Sequence, residues 1–481
     1  MPPPARHRGQ PPPPARRRGR PPPDPARRAA YDLLRAVDEH AGYANLVLPR
    51  LLTDRRLDPR DAAFATELGY GALRAQGTLD VVLAACLDRP LDAIQPAVRD
   101  LLRLGGYQLL RTRTPVHAAV SATVDLAREV AGEGPASLVN AVLRRVAGRD
   151  LAGWLAELAP PYELDPVGYL ALTTSHPGWV VEAFRDALGG DLAETGAALA
   201  ADDGRPSVHL VARPGRVSRE ALLISAEAAG RRGPWSPYAV RLEGGNPGRL
   251  AEVRDGRAAV QDEGSQLAAL VLAAADLDGP DRWWLDACAG PGGKAGLLAG
   301  VAADRGARLL AVDRAPHRAH LVRATLAGGP DGTAAADLIA AVVVADSTAP
   351  AWPTGRFDRV LVDAPCSGLG ALRRRPEVRW RRSPADVAGL FRLQCALLAA
   401  ALESARPGGM VAYVTCSPHL AETRGVLDAT LRGRPEVERV DVRSLLAGVP
   451  HLGDGPEVQL WPHRHGTDAM FIALLRATGR P

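Results

Sequence analysis

Two cysteines are placed where thiol chemistry is possible. Cys366 lies in VDAPCSGLG (362–370), between Pro365 and Ser367 and just past Asp363, and Cys416 lies in VTCS (414–417). A thiolate is a strong nucleophile once its pKa is lowered. Against a pyrimidine it can add to C6 and make C5 nucleophilic, the activation that methylation of an unactivated ring carbon needs. Asp363 beside it would hydrogen-bond N3 and N4 of a cytosine and stabilise the altered charge of the adduct. A single cysteine is most often a small buried hydrophobe, and Cys86 and Cys395, on apolar helical faces, are read that way. Two thiols at the ends of consecutive strands, with an acid beside one, read as a working pair.

The stretch DACAGPGGKA (286–295) is a glycine-rich turn between a strand and a helix. Its glycines let backbone amides approach a ligand, and the helix that follows offers a positive N-terminus. A phosphate-binding P-loop would need glycine at Cys288 and serine or threonine at Ala295, so that reading fails. A dinucleotide fold would need GxGxxG, which is absent, although Asp313 on the next strand lies where a ribose-binding acid belongs. S-adenosylmethionine is the third option: Asp313 would hold its ribose and Asp346, at the end of a third strand, would meet its adenine. Lys294, inside this turn, is the single lysine of the chain.

These residues need a scaffold that presents strand ends. After residue 256 the pattern alternates strand, loop and helix: RWWLDACAG, ARLLAVDRA, LIAAVVVADS, FDRVLVDAPC and GGMVAYVTCS are strands, with helices between them. Buried apolar runs alternating with helices predict a doubly wound, largely parallel sheet, whose ligands lie beyond the carboxyl ends of its strands. Residues 25–150 instead repeat apolar positions at helical spacing, which predicts an all-α domain of about six helices. Residues 151–255 read as a helical linker and a small α/β appendage, with SVHLVAR and YAVRLEG as short strands. Residues 1–24, rich in proline and arginine, cannot bury apolar surface and are expected to be disordered.

Charge is unevenly placed. Residues 1–28 carry eight arginines and one acid, while the whole chain of 481 residues is only +5, so the remainder is slightly acidic and any nucleic-acid contact must come from local patches. One such patch is ALRRRPEVRWRRSPAD, where Arg373, Arg374, Arg375, Arg379, Arg381 and Arg382 surround Trp380. Beside a pyrimidine site it reads as a phosphate-binding surface with a stacking aromatic. His463, His465 and Asp468 in HRHGTD could suggest a metal, but two histidines without a third well-placed ligand read as a loop hydrogen-bond network, so no metal is expected. Five cysteines with no CxxC pair point to reduced thiols in a cytoplasmic protein. With no long uncharged apolar run and no apolar leader, no membrane span and no secretory signal are expected.

The motifs together, VQDEGSQ, DACAGPGGK, VDAPCSGLG, GALRRRPEVRW, VTCS and PHRHGTDAMFIA in this order, resemble those of the Sun (Fmu) family of bacterial 16S ribosomal RNA cytosine-C5 methyltransferases. YANLVL, RDAAFATELGYGALR and LVNAVLRRV resemble the NusB-type RNA-binding domain joined to that family. The resemblance covers nearly all residues after the tail. It implies an all-α NusB-like domain followed by a Rossmann-like methyltransferase domain over 256–481, with S-adenosylmethionine as cofactor. Cys288, Ala289, Gly290, Pro291, Gly292, Gly293 and Lys294 would line its methionine part, Asp313 its ribose and Asp346 its adenine. Asp363 would border the cofactor and face the target base, Cys416 would attack, and Cys366 would assist release. The partner implied is 16S ribosomal RNA, free or in an early small-subunit particle, met by a monomer. Gly290 replaces the family's commoner alanine and Ala295 its commoner threonine. A tRNA cytosine-C5 methyltransferase and a non-catalytic RNA-binding assembly factor are the alternatives. The NusB-like region argues against the first, and the thiol pair with Lys294 against the second.

Overall fold

The computed structural model describes residues 24–40, 42–327 and 339–478. The expected disordered tail therefore lies outside the described residues, apart from Asp24. The Asp24 carboxylate accepts from the N–H groups of Ala26 and Arg27, at 3.0 Å each, and starts the first helix.

Seven α-helices build the N-terminal part: Pro25–His40, Ala44–Asp54, Pro59–Arg74, Gln76–Ala85, Pro96–Arg111, Val116–Ala131 and Glu133–Val146. Their starts follow from sequence: Asp58 caps and Pro59 opens the third, and Pro96 opens the fifth. Leu33, Leu68, Leu101, Leu126, Val139 and Leu143 form their common core. Gln76–Ala85 is the helix that spacing did not reveal, because its apolar residues run almost continuously instead of keeping to one stripe.

Four further helices, Leu151–Leu158, Pro166–Thr173, Gly178–Ala187 and Leu192–Asp203, lead to a small antiparallel sheet. Its strands are β1 (Val208–Ala212), β2 (Gly230–Arg232), β3 (Ala239–Leu242) and β4 (Ala258–Val260), in the order β2-β3-β1-β4. The last of these pairs with β1, so the small sheet reaches past residue 255, where the sequence pattern had placed the change of domain.

The large sheet comprises β5 (Trp283–Asp286), β6 (Arg308–Asp313), β7 (Ile339–Val344), β8 (Phe357–Asp363), β9 (Ala405–Thr415), β10 (Val437–Val440), β11 (Val458–Gln459) and β12 (Phe471–Ala477). Its order is β10-β12-β9-β8-β5-β6-β7, with β11 on β12. The pairs β5–β6, β6–β7, β5–β8 and β8–β9 are parallel, and β12 runs antiparallel against β9. This is the doubly wound sheet expected, with the strand order reversing between β5 and β8. Both faces are covered: Trp284, Leu361, Ala412 and Val414 join one core, while Leu285, Val360, Val362 and Tyr413 join the other. The helix Pro384–Ser404 is long and apolar enough, by length and composition, to cross a membrane. In the fold it lays Leu397, Leu398 and Ala401 on the second core.

The arginine-rich stretch holds the two halves together. Arg379 is fully buried and donates to Arg74 O at 3.2 Å, Ser175 O at 2.9 Å and Asp203 Oδ1 at 3.0 Å. Arg381 donates to Val37 O at 2.7 Å and Gly42 O at 2.8 Å, and Glu377 accepts from the Ala44 N–H at 3.2 Å. Arg373 and Arg374 are tied to Asp468, and Arg374 also to Asp262. Trp380 fits against Gly77, where an added Cβ would come within 2.5 Å of its ring. The expected phosphate-binding patch is thus mostly interdomain mortar, with Arg375 the exposed member. A run of charges in sequence does not reveal that its partners are carbonyls and acids from distant segments. Arg379→Ala should therefore destabilise the junction by about 3–5 kcal/mol, because Asp203 loses its cation in a buried setting. A thermal unfolding scan checks this, with the first transition moving to lower temperature; an unchanged midpoint would show the contact to be dispensable.

Candidate functional site

The carboxyl ends of β5 to β9 bring the candidates to one edge of the large sheet. Beyond β5 the chain turns through Cys288–Gly292 into the helix Gly293–Asp304. Gly292 has φ of 114°, a conformation that side chains resist, and a Cβ there would lie 2.9 Å from Thr325. Gly290 is held by both ends of its peptide. Its N–H donates to Asp313 Oδ2 at 3.0 Å, and its carbonyl accepts from the Arg318 guanidinium. A Cβ on residue 290 would fall 2.4 Å from Asp313 Oδ2 and 2.7 Å from Arg318 Nε. In this chain the space of the commoner alanine is filled by the Asp313–Arg318 pair.

A cavity of about 280 Å³ opens beside this turn, lined by Cys288, Asp313, Asp346 and Pro365 and walled by Leu393 and Leu397. Asp313 also accepts from the Ala315 N–H at 2.9 Å, which fixes its carboxylate at the end of β6. Asp346 accepts from the Thr348 hydroxyl at 2.7 Å and its N–H at 2.9 Å, and these bonds hold it below the usual carboxylate range. Asp286, outside the sequence candidates, is fully buried at the end of β5. Its Oδ1 accepts from the Cys288 N–H at 3.3 Å, while Oδ2 has no partner. Burial, with Asp363 nearby, pushes its pKa up to about 7. Burial also pushes the Cys288 thiol up, so it stays protonated. The donor set fits S-adenosylmethionine, with acids placed for ribose hydroxyls and adenine, and an unpartnered buried acid suited to an ammonium group.

The second half of the site lies at the ends of β8 and β9. These strands are neighbours, and Asp363 stands opposite Val414 in their parallel ladder. Cys366 Sγ and Cys416 Sγ are 3.4 Å apart. Lys294 reaches over from the glycine turn, with Nζ 2.8 Å from Asp363 Oδ2. The two thiols differ in charge preference. Cys416 is held below the ordinary thiol range by accepting from Cys366, helped by Lys294 and Arg375 against the opposing effects of burial and Asp363. Cys366 is pushed well up because it donates to Cys416, is buried, and faces Glu422 and Asp363. The surroundings thus favour charge on Cys416 over charge on Cys366.

Cys86 and Cys395 pack into apolar cores. His463 bonds Glu194 at 3.0 Å, His465 Nδ1 accepts from the Trp461 N–H at 2.9 Å, and Asp468 is engaged by arginines, giving the expected loop network. Among the described residues no cluster of three or more metal-ligating side chains forms.

The description 16S rRNA methyltransferase RsmB/F matches residues 272–476, and the NusB family matches residues 24–148. The chain is 54% identical to Mycobacterium tuberculosis Rv1407, a protein carrying only the general description of a methyltransferase, across 93% of this chain and 96% of that one. It is 34% identical to the ribosomal RNA small subunit methyltransferase B of Pseudomonas putida, across 93% of this chain and 97% of that one. The crystal structure of PH0851 superposes with a TM-score of 0.77 at 21% identity, covering 94% of this chain and 98% of that chain, a likeness of fold. A helical NusB domain, a Rossmann-like sheet and these relatives over nearly their full length make the chain a member of the RsmB (Sun/Fmu) family of S-adenosylmethionine-dependent RNA methyltransferases.

Proposed function

We propose that this enzyme methylates C5 of a cytosine in 16S ribosomal RNA through a covalent Cys416–C6 adduct. The observation that carries the reading is the thiol pair, 3.4 Å apart, beside the Lys294–Asp363 ion pair and next to the acid-lined cavity. S-adenosylmethionine, when bound, supplies the methyl group; Cys288–Lys294, Asp313 and Asp346 would hold it, with Asp286 facing its ammonium. The reaction begins when the Cys416 thiolate adds to C6, which makes C5 a nucleophile. Asp363, oriented by Lys294, accepts from the N4 amine, and also from N3 once thiolate addition makes that nitrogen basic enough to take a proton from solvent, which offsets the charge that develops there. After methyl transfer a base removes the C5 proton, the C6–S bond breaks and the Cys416 thiolate is regenerated. Cys366 keeps its proton throughout attack and assists release.

A thiolate reaches C6 only from the face of the ring, so the target cytosine must be unstacked or flipped out. The name of the Pseudomonas putida relative and the NusB family match support ribosomal RNA as substrate. Mapping 5-methylcytosine in 16S ribosomal RNA from cells with and without the gene tests the substrate. Loss of one modified position is expected, and loss of a tRNA methylation instead would redirect the assignment.

The two cysteines should fail in different ways. Cys416→Ala should abolish methylation and form no covalent RNA complex. Cys366→Ala should still attack and transfer methyl but accumulate a complex visible on a denaturing gel. The opposite pattern would exchange their roles. Asp313→Ala should weaken S-adenosylmethionine binding by about 1.5–3 kcal/mol, since a charged acceptor is lost; calorimetry on the folded variant measures this. Lys294→Met should move Cys416 alkylation by iodoacetamide to higher pH, because the removed cation favours the thiolate and its loss raises the thiol pKa. Peptide mapping of the alkylated cysteine across pH gives the midpoint, and an unshifted one would remove Lys294 from the activation of Cys416.

A further inference from the structure

Each thiol is followed by a serine, and both serines end on one carboxyl group. Glu422 lies in the short turn Leu420–Glu422 and is fully buried. Its Oε1 accepts from the Ser367 N–H at 2.7 Å and from Gln394 Nε2 at 3.1 Å. Its Oε2 accepts from Ser417 Oγ at 2.7 Å and from Ser367 Oγ. Gln394 Nε2 also donates to Pro365 O at 2.8 Å, and Tyr413 OH donates to Glu422 O at 2.7 Å. The turn after β8 is therefore fastened to the segment that follows β9, through a carboxylate that also holds the start of that segment at Ser417. Four donors converge on this side chain, and an acceptor-only carboxylate is the side chain that can satisfy them all.

We propose that Glu422 is a positioning residue that keeps the Cys366 and Cys416 sulfurs in contact by gripping the serine that follows each of them. The proposal rests on the two-thiol reading above. Full burial keeps Glu422 from touching substrate, so its influence passes through the two turns. Its placement also breaks the symmetry of the pair. Contact with Cys416, burial and then Glu422 push the Cys366 thiol up, while contact with Cys366, helped by Lys294 and Arg375 and opposed by burial and Asp363, holds Cys416 lower.

The test uses the full-length enzyme with S-adenosylmethionine and protein-free 16S ribosomal RNA from cells lacking the gene, with Cys416→Ala and Cys366→Ala in parallel. Ser417→Ala loosens the attacking turn and should slow methyl transfer in a single turnover without trapping RNA. Ser367→Ala loosens the releasing turn and should raise the amount of trapped RNA complex. Glu422→Gln puts an amide NH₂ against donors and should lower turnover by roughly 10²-fold while leaving the KM for S-adenosylmethionine unchanged. If Glu422→Gln does not fold, the two serine variants decide. Wild-type rates and trapping in both serine variants would overturn the proposal. So would losses that merely follow the thermal midpoint of each variant with no change in trapping. If the two cysteine variants show neither loss of attack nor trapped complex, the two-thiol reading itself falls, which separates its failure from that of Glu422.

Discussion

The pairing of β8 with β9 is the constraint on which the site depends. In a parallel ladder neighbouring strands run the same way, so Asp363 opposite Val414 means that both strands leave the sheet at one level. The turns that follow must then meet, and the sulfurs of Cys366 and Cys416 do. The register is not adjustable. Val360, Val362 and Tyr413 fill one core while Leu361, Ala412 and Val414 fill the other. A slip of one residue would send every side chain of a strand to the opposite face. Core packing on both sides of the sheet is therefore what brings two thiols together at its rim.

Two thiols in contact cannot both ionise, and the surroundings decide which one does. Lys294, inside the glycine turn, adds to the contact with Cys366, the largest influence, in holding Cys416 below the ordinary thiol range. Its side chain is 9% exposed, and its ammonium is close enough to pair with Asp363 while still favouring the Cys416 thiolate. An arginine here would bring a wider, five-donor head group in place of the compact ammonium that pairs with Asp363.

How much of this could be read from the sequence depended on whether a signal was local. Five strands of the large sheet were legible because parallel strands buried on both faces read as short apolar runs bounded by turns. Val437–Val440, Val458–Gln459 and Phe471–Ala477 were not, since the first two are short and the antiparallel edge carries no strand–helix alternation. The thiols, Asp363, Lys294, Asp313 and Asp346 were legible because each closes a strand or opens a helix. Asp286 lay in the quoted motif, but nothing there shows that one of its oxygens is left unpartnered. Glu422 had a faint signal in the serine after each cysteine, yet a convergence of four donors exists only in three dimensions. The arginine stretch was misread for the same reason, because its acceptors come from residues 37, 42, 74, 175 and 203.

That stretch also links the helical domain to the chemistry. Gly370 donates to Cys416 O at 2.9 Å and accepts from the Ala469 N–H at 2.8 Å, an approach so close that a Cβ on Gly370 would lie 2.1 Å from Ala469 O. The same segment continues through Glu377, Arg379 and Arg381, whose bonds reach Ala44, Arg74, Val37 and Gly42 of the helical domain. A few residues of chain thus touch the backbone of one thiol and hold the neighbouring domain. Most of these bonds end on backbone carbonyls instead of surface acids, so ionic strength screens them little. Where the two parts meet at the surface, the exposed Arg375 stacks over Tyr43 at 5.3 Å. The helical domain is thus no loosely tethered accessory, because the segment that anchors it is the segment that backs Cys416.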